Sequence, residues 1–189
     1  MKRGRDYFYR YKKIILVLSN FFSLFPSTFR IRSLNAIRGL SGKFGIGVRY
    51  ALLRTLCKSI GENVSVREGV YILNPQRLTL GDNVSIHPMS YIDASGEIEI
   101  GSDVSIAHSV TIMSTTHNYD GVIPIKDQGL SYRKVVISDN VWVGCKVTIL
   151  SGVIVPHSSI IGANSLVNKQ LSESNCVYAG VPAKKIKAI

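Results

Sequence analysis

Residues 80–113 read LGDNVSIHPMSYIDASGEIEIGSDVSIAHSVTIM, and the fold can be inferred from the pattern in this stretch. Aliphatic residues recur in it at nearly every sixth position, namely at Leu80, Ile86, Ile92, Ile100, Ile106 and Ile112. A six-residue period matches neither the 3.6-residue period of a helix nor the two-residue period of a strand. It is typical of a solenoid, in which stacked repeats bury a continuous core that no single repeat could bury alone.

The same period extends to both sides of this stretch. It begins at Ile60, breaks after Ile112, resumes at Ile137 and runs on to Val167. Coils begin 20 residues apart in the first part, at Ile60, Leu80 and Ile100. Three six-residue units, each a short strand with its corner, and two further residues fill one triangular coil. Asn and Gly between the strands suit the left-handed backbone of tight corners. We therefore predict an all-β fold, a parallel β-helix of about five coils.

The positive charge of the chain is concentrated in its N-terminal part. The net charge is +11, but residues 1–59 hold 13 Lys and Arg against one acidic residue, whereas residues 60–189 hold 10 against 11. The repeat region is therefore not basic, which argues against a nucleic-acid partner. Three cysteines at irregular spacing form neither a disulfide framework nor a metal motif. We expect a cytoplasmic protein.

The first 25 residues combine a basic, aromatic segment with an apolar one. Residues 1–13 are rich in Lys, Arg and Tyr, and residues 14–25 are mostly apolar, which is too short for a membrane span of about 20 residues. One interpretation is a helix in residues 1–30 that makes peripheral contact with the inner face of a bacterial inner membrane. The alternatives are a solvated basic face, an apolar stripe packed on the solenoid, or a signal peptide, for which no cleavage motif follows Phe25.

A second helix is predicted around residues 48–59. Its apolar stripe consists of Val48, Leu52 and Leu56, and we expect Arg49 and Arg54 to lie off that stripe. Such a helix would cap the open first coil of the solenoid, whose core and strand edges would otherwise be exposed. The predicted organisation is a basic, partly helical segment over 1–59, the β-helix domain over 60–178, and a C-terminal tail over 179–189.

The repeat is interrupted once, by the protruding loop 118–134. Insertions in a solenoid usually build its binding face, so the active site is expected there. His117 stands at the root of this loop. His108 and His157 lie inside regular repeats and are interpreted as solvated turn residues.

Four ordered motifs resemble those of the hexapeptide-repeat acyltransferases, over about residues 60–187. They are TTHNYD at 115–120, VISDNVWVG at 136–144, IGANS at 161–165 and AGVPAK at 179–184. The similarity is to the sugar O-acetyltransferase branch, which includes maltose, galactoside and nodulation-factor enzymes and enzymes of surface-polysaccharide gene clusters. The resemblance implies a left-handed winding, acetyl-CoA as co-substrate without a metal, and a homotrimer with each site in a groove between neighbouring coils.

The resemblance also assigns site residues. His117 would be the general base that takes a proton from the acceptor hydroxyl. The CoA-binding positions would be Trp142, Gly144, Cys145, Ala163, Asn168, Lys169, Lys184 and Lys187. Lys184 stands where the family has Arg, so it keeps the charge but loses the bidentate fork. Acceptor contacts would be His87, Ser95 and Asp120, of which the first two differ from the Asn and Asp of the sugar enzymes.

We therefore predict acetyl-CoA-dependent O-acetylation of a sugar hydroxyl in a bacterial surface polysaccharide, such as a lipopolysaccharide O-antigen or a capsule unit. Alternatives within the fold are an amino-sugar N-acetyltransferase and a serine or antibiotic acetyltransferase. A non-catalytic solenoid scaffold is the alternative of another class. The γ-type carbonic anhydrases share the solenoid, but they need a zinc-binding His pair where this chain has Val122.

Overall fold

Three helices precede a β-solenoid in the computed structural model, which describes the backbone of residues 4–189 and the side chains from residue 6 onward. The helices are α1 (Gly4–Ser23), α2 (Ser27–Ala36) and α3 (Gly42–Leu56). The strands are β1 (Ser59–Ile60), β2 (Ser65–Val66), β3 (Tyr71–Leu73), β4 (Leu78–Leu80), β5 (Ser85–Ile86), β6 (Tyr91–Asp93), β7 (Ile98–Ile100), β8 (Ser105–Ile106), β9 (Thr111–Met113), β10 (Thr115–His117), β11 (Leu130–Tyr132), β12 (Val135–Ile137), β13 (Trp142–Val143), β14 (Thr148–Ile149), β15 (Ile154–Val155), β16 (Ile160–Ile161), β17 (Leu166–Val167), β18 (Cys176–Ala179) and β19 (Lys184–Ala188).

Three parallel sheets form the walls of the solenoid. The first wall is β1-β4-β7-β12-β15, the second is β2-β5-β8-β13-β16-β18, and the third is β3-β6-β9-β14-β17. Ser59 pairs with Thr79 and Thr79 with Glu99, so the register advances by one 20-residue coil at each step. The prediction of a parallel β-helix with about five coils is confirmed, and β18 begins a sixth. The C-terminal residues, predicted as a tail, form β19, which returns antiparallel along β18.

The six-residue period is the period of core burial. The aliphatic residues that carry it point inward and are buried, as Ile86, Ile106 and Ile112 show with 0% exposure. At the corner between the first and second walls, Asn83 adopts the left-handed conformation with φ 57°. Its side-chain Nδ2 donates to Asp103 Oδ1 at 3.0 Å in the next coil. The corner residue therefore serves both the backbone turn and the stacking of coils.

The helix α3 caps the first coil. Leu52 and Leu56 are buried in the core and Val48 packs against it, so the predicted apolar stripe is confirmed, although the helix begins earlier than expected. The expectation that Arg49 lies off the buried surface is wrong, because this side chain is 1% exposed. Its Nε donates to the Val66 carbonyl at 2.8 Å, and its Nη1 donates to the Leu40 carbonyl at 2.6 Å. The guanidinium is tolerated there because several carbonyl groups accept its protons.

The helix α1 packs one face on this cap. Phe8 meets the Tyr50 ring edge-to-face at 5.2 Å, and Lys12 pairs with Glu62 of the first coil. One face of α1 thus matches the alternative of an apolar stripe packed on the solenoid. Residues 1–3, which belong to the predicted basic segment, lie outside the described residues. Among residues 4–189, none of the three helices combines the length and the apolar character that crossing a bilayer requires.

Candidate active site

The interruption of the repeat is a β-hairpin that carries His117 on its first strand. β10 and β11 pair antiparallel, with His117 opposite Leu130. The tip is held together by Gln128, whose Nε2 donates to the Ile123 carbonyl at 2.7 Å and whose Oε1 accepts from the Gly121 N–H at 2.7 Å. The predicted loop 118–134 is therefore largely ordered by its own hydrogen bonds, and His117 lies on a strand rather than in a free loop.

A buried carboxylate fixes the root of this hairpin. Asp93 is 7% exposed, and its Oδ2 accepts from Thr115 Oγ1 at 2.8 Å. Its Oδ1 accepts from the Ser95 N–H at 3.0 Å and from the Ser95 hydroxyl. We did not identify Asp93 from the sequence, but a signal was present. It occupies the coil position that is Leu73 one coil earlier and Met113 one coil later, where a charge serves no packing role.

A groove of about 220 Å³ opens beside the hairpin root. His117, Asp120 and Asn168 line it, so the structure brings together three of the predicted site residues. Arg133, which the sequence analysis did not select, lines the same groove. Its aliphatic stem lies over Gly152, where an added Cβ would come within 3.3 Å of Arg133 Cδ and where φ is +81°. Glycine at that position therefore makes room for the arginine.

Another group of predicted residues meets at the corner between the second and third walls. A Cβ on Gly144 would lie 2.7 Å from the backbone N of Ala163, so only glycine fits against the next coil. The Asn164 N–H donates to the Cys145 carbonyl at 2.9 Å, which joins the two coils at this corner. The corner therefore brings Gly144, Cys145 and Ala163 together across two neighbouring coils.

Trp142 lies on β13, two residues before Gly144, and does not line the His117 groove. Its indole is 54% exposed on the outer face of the second wall. There it lines a shallow depression of about 370 Å³ together with Asn140, Asn175 and Ile189. The predicted lysines are exposed as well, with Lys169 following β17 and with Lys184 and Lys187 on β19.

Two predicted acceptor contacts do not line the His117 groove within one protomer. His87 is half-buried at the corner after β5, where burial, then the charges of Arg67 and His108, hold its pKa below the usual value, against a weaker opposite effect of Glu68. Ser95 is bound to Asp93 and accepts from Asn74 Nδ2 at 2.6 Å, so it supports the hairpin root. Within residues 4–189, no three His, Cys, Asp or Glu side chains converge as metal ligands do.

Comparison with known proteins relates this chain to acyltransferases, among them several sugar O-acetyltransferases. No protein-family model matches it. The galactoside O-acetyltransferase of Escherichia coli K12 is 32% identical over 141 residues, which cover 75% of this chain and 68% of that enzyme. The putative lipopolysaccharide biosynthesis O-acetyl transferase WbbJ of the same strain is 46% identical over 65 residues, about a third of each chain. A solved galactoside acetyltransferase in complex with coenzyme A superimposes with a TM-score of 0.71 at 27% identity, covering 87% of this chain and 91% of that one.

These similarities agree with the architecture. The match to the galactoside enzyme spans most of both chains, and the structural match extends over the solenoid and much of the helical segment. The family resemblance that the four motifs carry is thus confirmed at the level of sequence and of fold. The chain belongs to the hexapeptide-repeat acyltransferases, as an acetyl-CoA-dependent enzyme built on a left-handed parallel β-helix.

Proposed function

We propose that this enzyme transfers an acetyl group from acetyl-CoA to a sugar hydroxyl of a bacterial surface polysaccharide, with His117 as general base. The observation that carries the proposal is the position of His117, in a groove at the hairpin root of a member of this family. The name of the galactoside relative supports a sugar acceptor. The name of the WbbJ relative supports a role in lipopolysaccharide synthesis, over the third of the chain that it matches.

The reaction requires one proton to move twice. His117 accepts the proton of the acceptor hydroxyl as that oxygen attacks the thioester carbonyl carbon. The carbon–sulfur bond then breaks, and the imidazolium returns the proton to the departing thiolate, so that the products are the acetyl ester and CoA. Asp120 and Arg133 line the same groove and would contact the acceptor. Asp93 accepts a hydrogen bond from Thr115 and so anchors the start of β10, two residues before His117.

A homotrimer would complete the site. Within one protomer the corner formed by Gly144, Cys145 and Ala163 is separated from the His117 groove by the third wall. We propose that a neighbouring protomer brings this corner, with its Trp142, against the hairpin and so supplies the CoA side of the site. The hairpin is suited to such a contact, because four of its apolar side chains are exposed in the protomer: Val122, Ile123, Ile125 and Tyr132.

The remaining assignments follow from this arrangement. Lys169, Lys184 and Lys187 would meet the phosphates of CoA, as exposed point charges at one end of the solenoid. His87 and Ser95 stay proposed acceptor contacts, which a neighbouring protomer would have to bring near the groove. We place the reaction at the cytoplasmic face of the inner membrane, where surface glycans are assembled on lipid carriers.

The decisive test of the mechanism is His117→Ala. Turnover should fall by about 10²–10⁴-fold, which is the usual contribution of a general base. The matched control is His157→Ala, because His157 is an exposed corner histidine outside the groove. Release of the CoA thiol measures both variants, with glycans extracted from the source bacterium as acceptor. A His117→Ala enzyme as active as the control would refute the assignment.

The acceptor chemistry needs a separate experiment. Lipid-linked glycans from cells with and without the enzyme are compared by mass spectrometry. We expect one acetyl group that depends on the enzyme and that mild base removes, as it does from an ester. An acetyl group that resists mild base would instead show an amide, and the enzyme would then be an amino-sugar N-acetyltransferase.

A further inference from the structure

The helix α1 exposes an apolar stripe on the face that points away from the solenoid. Its members, spaced three and four residues apart and continued just past the helix end, are Ile14, Val17, Phe21 and Leu24, and we call them the outer stripe. Their exposed fractions are 67%, 69%, 53% and 79%. Residues at this spacing share one face of a helix. Large apolar side chains clustered at such exposure mark an interaction surface.

The opposite face of α1 is fully used by the fold. Phe8, Ile15 and Phe22 pack against the core, and Ser19 is 2% exposed with its hydroxyl bonded to the Ile15 carbonyl at 3.0 Å. The orientation of the helix is therefore set by its contacts with α3. The outer stripe cannot turn inward without breaking them.

The stripe has basic and aromatic neighbours. Arg10 and Lys13 are exposed, and they lie one helical turn before Ile14 and Val17 respectively, on the same side of the helix. At its other end, Phe21 contacts Phe25 at 5.3 Å, and Phe25 stacks on Phe29 at 4.8 Å, which extends the aromatic surface onto α2. Basic residues beside an apolar and aromatic face are the features of a helix that lies in a membrane interface.

We propose that the outer stripe docks the enzyme on an anionic lipid bilayer, with α1 lying in the plane of the surface. Charge selects this occupant over a second copy of the chain. Arg10 and Lys13 place positive charge beside the stripe, and residues 1–59 as a whole carry a net charge of +12 against −1 for the remainder. An anionic surface therefore attracts this part of the chain, whereas a second copy with the same charge is repelled. The proposal rests on the proposed function only for its biological sense, since an acceptor on a lipid carrier is reached from the membrane surface.

Vesicle sedimentation of the full-length protein tests the docking. The wild type should bind vesicles of phosphatidylcholine and phosphatidylglycerol more tightly than pure phosphatidylcholine, and salt should weaken the binding. The double variant Val17→Glu/Phe21→Glu should lose about 100-fold in partitioning, because two apolar side chains no longer enter the lipid. The matched control is Ile186→Glu/Ile189→Glu, which makes the same charge change at exposed positions near the C-terminus.

Each other outcome overturns the proposal. Equal binding by the two double variants would mean that the outer stripe makes no lipid contact. A wild type that ignores both kinds of vesicle but sediments as a larger oligomer than Val17→Glu/Phe21→Glu would show that the stripe joins copies of the chain. Thermal melting checks that the variants fold. The His117→Ala enzyme should bind vesicles like the wild type, so a failed docking and a failed mechanism are told apart.

Discussion

Arg49 connects the helical segment to the solenoid, and its replacement should loosen that connection by a calculable amount. The side chain is 1% exposed and makes two short hydrogen bonds, to the carbonyls of Val66 in the first coil and of Leu40 before α3. A hydrogen bond to a charged group contributes about 1.5–3 kcal/mol, so two contribute about 3–6 kcal/mol. In Arg49→Met the carbonyls lose their donors while the volume is nearly kept.

The expected loss lies at the lower end of that range. Burial lowers the pKa of Arg49 because desolvation disfavours the charged form, and Met removes this cost together with the hydrogen bonds. A loss of about 3 kcal/mol corresponds to a decrease in Tm of about 6–12 °C for a chain of this size. Thermal unfolding followed by circular dichroism measures it.

The control is Arg32→Met, an exposed arginine on α2 whose replacement should change stability by no more than about 0.5 kcal/mol. If Arg49→Met melted within about 2 °C of Arg32→Met, the guanidinium would not stabilise the junction, and the reasoning from its hydrogen bonds would be wrong.

Three further predictions concern the site and the solenoid. Burial raises the pKa of the Cys57 thiol to about 12, and Cys176 is buried, so a disulfide reagent should label only Cys145 in the native protein. Acetyl-CoA should slow the labelling of Cys145. Labelling of Cys57 before unfolding would contradict this prediction. Folding lowers the pKa of His87 below 6.5, so the unfolded chain takes up this proton first, and stability should fall as the pH drops below about 6.5. Urea titrations should show that the stability of His87→Asn depends less on pH than that of the wild type. An unchanged pH dependence would contradict the assignment to His87. Asp93→Asn weakens the hydrogen bond to Thr115 and should reduce kcat about 10-fold or more with little change in KM. The corner variant Asp103→Asn is the control and should leave kcat unchanged in the same assay.

The fold was predictable because it depends on a short-range pattern. Each repeat buries one aliphatic residue every six positions, so Ile86 or Ile106 carries the same information wherever it occurs. The corners are equally local, since Asn83 turns the chain by its own conformation. His117 was also recognisable as a candidate site residue, because it stands where this pattern stops. Its proposed role as general base came from the family resemblance.

The supports of the site were not predictable in the same way. Asp93 holds Thr115, which is 22 positions later, and the two come together only because the coils stack. Arg133 enters the groove because Gly152, in the next coil, leaves space for its stem. The expectation for Arg49 was wrong for the same reason, because its partners lie far away in the sequence. A charged residue is normally placed in solvent, and Arg49 is tolerated inside because carbonyls of the first coil and of the segment between α2 and α3 accept its hydrogen bonds.

The solenoid, its break and the histidine at that break could be read from the sequence, because the period repeats along the chain and His117 stands where it stops. The side chains that share the groove with His117, and the face of α1 that remains exposed, became clear only from the folded chain. Stacking brings together residues about 20 positions apart, and helix packing buries one face of α1 and leaves the other exposed.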